Sequence, residues 1–297
     1  MEDMNLPKLV EAFRSEEKCR AYLEALRWPE RVSCPRCASV KTSRIASRSQ
    51  FDCDSCRYQF SVTAGTIFHD SHLPLWKWLL ATYMMAEAKK GVSANQLKRT
   101  LAVSYKTAWY LCHRIRAAMK DANPRTLDGI VEVDETFLGG KRRGVGRGSR
   151  KGKRVIVGAA DRDDGIVRLR MVPAARQVYL TQFIRDVADP SATIHTDESR
   201  LYKDLLLRGY AHKAVNHSTH EYVRADVHTN TVEGVWSLFK RSVVGSYHQL
   251  STKHLPAYLD EAAFRYNNRK NPFLFRDTVL KLLEAKAMPF KALTRHA

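Results

Sequence analysis

The sequence predicts a multidomain chain: a small cysteine-rich module, a helical segment and an α/β domain. Three observations predict it. Two C-x-x-C pairs lie within residues 28–63, apolar residues recur at three and four through 74–120, and strand-forming runs begin near Gly129. The 297 residues suffice for several small domains. With 44% hydrophobic and 27% charged residues, the composition supports packed cores and argues against wholesale disorder.

Charge narrows the partners. Lys plus Arg number 50 against 31 Asp plus Glu, a formal net charge of +19. Such an excess points to a polyanion, nucleic acid being the commonest, with plain solubility as the bland alternative. The longest apolar stretch, Trp78 to Ala86, is nine residues interrupted by Thr82, far short of the ~20 a spanning helix needs. The opening MEDMNLPKLVEAF is acidic at its start and has no apolar core, so it does not read as a signal peptide, and a cytoplasmic protein without membrane contact is expected.

Residues 1–27 form an N-terminal helical segment. Leu9, Val10, Phe13, Tyr22, Leu23 and Leu26 keep helical spacing, as one or two short helices. Residues 28–73 are the cysteine module. Cys34-Pro-Arg-Cys37 and Cys53-Asp-Ser-Cys56 stand fifteen residues apart, a spacing that lets four thiolates surround a structural Zn²⁺ in a zinc ribbon. Arg31, Arg36, Arg44, Arg48 and Arg57 surround them, favouring thiolates and offering phosphate contacts. The rival, a redox pair, fits less well because both pairs have the metal-knuckle spacing. His69 and His72 follow, but four cysteines already complete the shell.

Residues 74–122 read as three helices: Trp76 to Ala88, Ala94 to Leu101 capped by Ser93, and a third capped by Ser104 that runs to about Met119. A short helix, a tight turn and a longer basic helix match a helix-turn-helix, with Ser104, Tyr105, Lys106 and Thr107 as candidate DNA contacts. Lys98, Arg99, Lys106, Arg114 and Arg116 are expected outside, while a plain three-helix packing unit would show the same pattern.

The polar segment from Asp121 to Thr126, with Pro124, reads as a linker. The catalytic domain is expected over 125–290. A strand over 129–136 carries Asp134, two strands meet at the turn Asp161 to Gly165, a helix covers 181–188, and a strand over 191–197 ends in Asp197. Three strands, a helix, a strand and then helices is the order of a ribonuclease-H-like core. Acids ending two strands bring carboxylates to one sheet edge, as two-metal phosphoryl transfer needs. Glu233 fits as third acid: 35 residues separate it from Asp197, and it borders the stripe of Val232, Trp236, Phe239 and Val243. Lys240 lies two turns further along that edge, and Asn230 one turn before, as a neutral ligand. Glu132 shares a strand face with Asp134, and Glu135 and Glu198 flank the chosen acids, so a neighbouring acid is a rival assignment. A basic, Gly-rich loop with Arg142, Arg143, Arg147 and Arg150 follows the first acid and suits a DNA strand. His195 and His228 lie close in sequence to the acids, either tuning them or serving as structural histidines.

These residues resemble the bacterial insertion-sequence transposases that join an amino-terminal zinc ribbon to an acidic-triad (DDE) catalytic domain. The resemblance spans nearly the whole chain. It rests on the two cysteine knuckles, Ala64-Gly-Thr-Ile-Phe-His, Val103-Ser-Tyr-Lys-Thr-Ala-Trp, Val133-Asp-Glu-Thr and His195-Thr-Asp. The most specific stretch is His228-Thr-Asn-Thr-Val-Glu-Gly-Val-Trp-Ser-Leu-Phe-Lys, continued by Tyr258-Leu-Asp-Glu and Arg265-Tyr-Asn-Asn-Arg. The resemblance implies Asp134 and Asp197 as the first two catalytic acids, Glu233 as third and Lys240 as the basic residue after it. Branches of the family differ over an acid or an asparagine as third member, and both Asn230 and Glu233 are present. It further implies a ribonuclease-H-like fold, catalytic Mg²⁺ or Mn²⁺, and a homo-oligomer acting on paired element ends in double-stranded DNA, in the bacterial cytoplasm at the nucleoid. The expected function is DNA cleavage and strand transfer at terminal inverted repeats. The alternatives are a domesticated, catalytically inactive zinc-ribbon regulator and a structure-selective nuclease that cuts without joining.

Overall fold

The computed structural model describes residues 4–140, 152–197, 200–202, 205–215 and 228–295. It divides into two compact units, residues 1–120 with 270–297, and residues 121–269.

Along the first unit come α1 (Leu6–Ala12), α2 (Glu16–Arg27), β1 (Thr42–Ile45), β2 (Gln50–Cys53), β3 (Gln59–Phe60), α3 (Leu75–Glu87), α4 (Ala94–Leu101) and α5 (Tyr105–Met119). The second unit holds β4 (Ile130–Leu138), β5 (Arg154–Asp161), β6 (Val167–Val172), α6 (Gln177–Val187), β7 (Thr193–Asp197), β8 (Ala211–Val215), α7 (Asn230–Ser242) and α8 (Leu255–Asn267). The chain then returns to the first unit with α9 (Leu274–Glu284) and α10 (Phe290–Thr294).

Local chemistry sets the helix starts in the first unit. Asn5, Ser15, Ser93 and Ser104 each accept a hydrogen bond from the amide three residues on, satisfying a donor the helix leaves open. Between α4 and α5 the chain turns through Ala102 in the left-handed region, φ 49°, which reverses direction within three residues. β1, β2 and β3 form an antiparallel sheet around Phe51 and Phe60, whose rings lie 5.4 and 5.8 Å from Trp28. This core is small, with five buried residues, two of them cysteines.

α9 packs on α2, α3 and α5. Its Phe275 ring lies 6.0 Å from Phe13, 6.3 Å from Tyr22 and 6.3 Å from Tyr83. Residues 270–290, which their position in the sequence groups with the catalytic segment, therefore supply apolar surface to the first unit. The arginines of α5 also depart from expectation. Arg114 and Arg116 are 3% and 1% exposed rather than solvated. Arg114 donates to the carbonyls of Ile67 and His69 and lies over the rings of Trp78 and Tyr110, so its charge meets carbonyl oxygens and π faces in place of water.

In the second unit the sheet order is β6-β5-β4-β7-β8. β4, β5 and β6 pair antiparallel, whereas β7 runs parallel to β4 and β8 parallel to β7. The pleat divides each strand between two cores. Val131, Val133, Val155 and Val157 meet Leu180, Phe183 and Ile184 of α6. On the other face Ile156, Ala160 and Val167 meet Val232, Trp236 and Phe239 of α7 and Leu255 and Leu259 of α8. Because side chains alternate, burying Val131 and Val133 on the α6 face turns Glu132 and Asp134 toward α7. This is the ribonuclease-H-like core expected from the strand order, with one addition. β8, sequence AHKAV, is a short edge strand absent from the expected order, with half-buried His212 and exposed Lys213, and offers little apolar alternation to read. Among the described residues no helix is long and apolar enough to cross a membrane.

Candidate active site and metal centres

Asp134 is the middle residue of β4, which runs four residues beyond it to Leu138 rather than ending near the acid, and Asp197 closes β7. The parallel register pairs Ile130 with Thr193, Val131 with Ile194 and Glu132 with His195. Asp134 and Asp197 each stand two residues beyond the last of these pairs, and the Asp197 charge acts on the Asp134 carboxyl. Burial, then the neighbouring carboxylates of Glu135 and Asp197, push Asp134 up to about 7. Tyr202, itself buried, donates to Glu135 Oε2 at 2.7 Å, and burial followed by that carboxylate raises its hydroxyl well above the usual range.

α7 packs on the face of the sheet that carries Asp134. Trp236 Nε1 donates to Asp134 Oδ2 at 3.0 Å, which turns this face of α7 toward the strand acids. Glu233 is exposed one turn before Trp236, Asn230 is exposed at the start of the helix, and Lys240 is exposed one turn beyond. Thr229 Oγ1 donates to Glu233 Oε1 at 3.1 Å. A carboxylate in the first turn is favoured there by the helix dipole. The indole needs room on β5. Gly158 pairs with Asp134, and a Cβ on it would fall 2.6 Å from the Trp236 ring, so only glycine lets the indole reach the acid. Neither Trp236 nor Gly158 stands out in the sequence: Trp236 reads as one more apolar position in the α7 stripe.

Asp134, Asp197 and Glu233 do not form a single cluster with all ligand atoms within 4.8 Å of one another. A two-ion site does not require one, because its ligands are shared between ions about 4 Å apart. Glu132, the rival to Asp134, is wholly buried and engaged with the first turn of α7. Among the described residues one other acidic group clusters, Asp128, Asp161 and Asp164, and Arg125 sits among them and pairs with all three.

The four cysteines converge. Cys34 Sγ lies 3.7 Å from Cys56 Sγ, and Cys37 Sγ lies 3.6 Å from Cys53 Sγ. A tetrahedron with zinc–sulfur bonds of about 2.3 Å has edges of roughly 3.8 Å, so the sulfur positions fit that ion. Burial raises the Cys53 thiol, but hydrogen bonds from the Cys56 and Ser55 amides and from Cys37 outweigh it and bring it to about 7.

At the start of α5, Ser104, Tyr105 and Lys106 are exposed and Thr107 is half-buried. Ser104 accepts the Thr107 amide at 3.1 Å, and Lys106 Nζ lies 4.7 Å from the Phe290 ring centre. Arg142, Arg143, Arg147 and Arg150 lie outside the described residues.

A mixed five-stranded sheet in ribonuclease-H-like order and a four-cysteine ribbon fit a transposase of the polynucleotidyl-transferase class. Comparison with known proteins agrees. Residues 126–267 match the ISXO2-like transposase domain, and residues 14–59 match the transposase zinc-ribbon domain. The uncharacterized protein in transposable element ISH50 of Halobacterium salinarum is 32% identical over 255 residues, covering 78% of this chain and 84% of that one. An uncharacterized transposase-like protein of Haemophilus influenzae is 29% identical over 98 residues, 33% of this chain and 78% of its own length. Among solved structures, the catalytic core domain of HTLV-2 integrase in complex with magnesium matches 48% of this chain and 86% of that one, at 11% identity and a TM-score of 0.30. The chain belongs to the ISXO2-like transposase family.

The raised Asp134 makes a prediction for the protein without added divalent ion. Its folded value, about 7, lies above the ordinary aspartate value of 3.8, so the native state holds a proton that the unfolded state releases. That contribution is complete below about pH 4 and is lost as the pH rises through 7, costing about 2–4 kcal/mol. Asp134→Asn should therefore melt higher than wild type at pH 8, and the gap should close as the pH falls to about 4. A gap independent of pH in parallel melts would contradict the assignment.

Proposed function

We propose that this protein is a DNA transposase that binds the terminal inverted repeats of an insertion sequence and catalyses metal-dependent strand cleavage and strand transfer. The observation that supports this reading is Asp134, acted on by the Asp197 carboxylate from β7 and hydrogen-bonded by Trp236 of α7, the helix that carries Glu233.

The donors are hard oxygens, as Mg²⁺ or Mn²⁺ prefers, and Asp134, Asp197 and Glu233, with Asn230 as a neutral neighbour, would hold the ions. Bound there, two such ions would supply activation of the attacking oxygen and stabilisation of the leaving 3′-oxygen of a phosphodiester. In cleavage, water attacks phosphorus and the bond to the 3′-oxygen breaks, leaving a 3′-hydroxyl on the element end. In transfer, that hydroxyl attacks a target phosphodiester, a new P–O bond forms and the old 3′-oxygen departs with a proton. Asp134 and Asp197 balance the cationic charge, Trp236 holds Asp134 in one rotamer, and Lys240 pairs with a backbone phosphate. Zn²⁺ in the Cys34, Cys37, Cys53 and Cys56 ribbon is structural. Ser104, Tyr105, Lys106 and Thr107 of the helix-turn-helix contact the repeat, and the basic loop with Arg142, Arg143, Arg147 and Arg150 contacts backbone. The protein acts as a homo-oligomer joining two element ends, in the cytoplasm at the nucleoid.

The test is transfer of a labelled duplex, carrying the repeat found beside the gene, into plasmid DNA with and without Mg²⁺. Joined products that need Mg²⁺ and are absent with Asp197→Ala, which still binds the duplex, are expected. Specific binding without cutting would identify a regulator, and cutting without joining a nuclease.

A further inference from the structure

α7 carries every group that its helix contributes to the proposed site, yet no side chain of its own N-cap residue closes its first turn. Thr229, in the capping position, turns its hydroxyl to Glu233 instead. The open amides are taken by a residue 99 positions earlier. Glu132 Oε2 accepts from Thr231 N at 2.8 Å and Val232 N at 3.1 Å, and Oε1 accepts from Thr231 Oγ1 at 3.0 Å and Arg162 Nε at 3.0 Å. The carboxylate is 0% exposed. Arg162 balances its charge, donates to the His228 carbonyl at 3.0 Å and lies 3.4 Å from His195 Nδ1.

A helix start needs no such distant, buried carboxylate for stability, since a local Ser, Thr, Asp or Asn cap satisfies the same amides. What a carboxylate on β4 adds is register. Glu132 and Asp134 point from one face of one strand about 7 Å apart. Glu132 grips Thr231 and Val232, and Asp134 meets Trp236 one turn on. Glu233 lies between these two ties.

Resting on the function proposed above, we propose that Glu132 is a positioning residue, which clamps the first turn of α7 to β4 and so holds Glu233 and Asn230 in register with Asp134. Arg162 is the clamp's countercharge, 3.0 Å from Glu132 Oε1.

The experiment compares full-length, zinc-loaded wild type, Glu132→Gln and Asp197→Ala. It measures the Mn²⁺-induced rise in melting temperature, hydrogen exchange in the peptide 228–242, and cleavage of an element-end duplex. Glu132→Gln should bind the duplex with unchanged KM and cleave it about 10²-fold more slowly, as expected for a misplacement near 1 Å. It should need about 10-fold more Mn²⁺ for half its thermal shift and lose exchange protection at the start of α7, with the peptides of β4 and β5 unchanged. A folded Glu132→Gln with wild-type cleavage and Mn²⁺ response overturns the clamp. If that variant does not fold, Thr231→Val removes a single donor to Glu132 and should raise the Mn²⁺ requirement about 3-fold at constant KM; an unchanged requirement overturns the clamp equally. A wild type silent to both Mn²⁺ and element ends overturns the proposed function, and the clamp's role in the site with it.

Discussion

Stripping zinc from the ribbon should unfold residues 28–63 while the five-stranded sheet of residues 121–269 stays folded. The ribbon has two strands of four residues and one of two, and a core of five buried residues, two of which are the cysteines themselves. Burial of Phe51, Phe60 and Ala64 contributes a few kcal/mol at about 25 cal/mol per Å², too little to offset the entropy of ordering some thirty-five residues. Metal binding at structural zinc sites contributes about 10–16 kcal/mol, so it decides whether the module folds. Cys53→Ser removes a wholly buried ligand and should lower zinc content from about one equivalent to near zero. Calorimetry should then show the ribbon's transition lost and that of the sheet unit retained. A Cys53→Ser protein with unchanged melting and metal content would remove the zinc assignment.

Replacing Glu233 by glutamine should slow strand cleavage by about 10³-fold or more, the scale of losing a charged member of a catalytic set. Asn230→Ala should cost about 10-fold. Two divalent ions carry four positive charges, and Asp134 with Asp197 supplies two negative ones; Glu233 adds a third, which an amide cannot. The local setting also favours the acid, since Thr229 donates to Glu233 and the N-terminal turn of α7 favours negative charge. Single-turnover cleavage by both variants, with duplex affinity measured beside it, decides the matter. The reverse order, a silent Asn230→Ala beside a tolerant Glu233→Gln, would transfer the role to the asparagine.

Much of this is legible from residue order because the signals are local. The paired cysteines, the serine caps at 93 and 104 and the turn at Asp161–Gly165 each depend on neighbours a few residues away. The strands that carry Asp134 and Asp197 are legible for a related reason, their local strand-forming pattern, although β4 runs on to Leu138 and so sets Asp134 at its middle rather than near its end. What stays hidden depends on partners far along it. Arg114 looks solvated until Trp78 and the carbonyls of Ile67 and His69 surround it. Glu132 is indistinguishable from a second candidate ligand until Thr231 and Val232 meet it. Trp236 looks like ordinary core because its N–H partner and the space that Gly158 leaves are both on other elements. The fifth strand is missed for the opposite reason, since an edge strand of alternating Ala, His and Lys carries too little apolar signal.

The return of α9 to the first unit has a temporal consequence. Translation delivers the ribbon and α1 to α5 first, then all of residues 121–269, and only afterwards the helix whose Phe275 fills the space between Phe13, Tyr22 and Tyr83. The sheet unit is contiguous and can close while synthesis continues. The helical unit waits, with an apolar groove uncovered, until residues 274–284 clear the ribosomal tunnel. A nascent chain thus has its whole sheet unit synthesised before the helix that covers this groove.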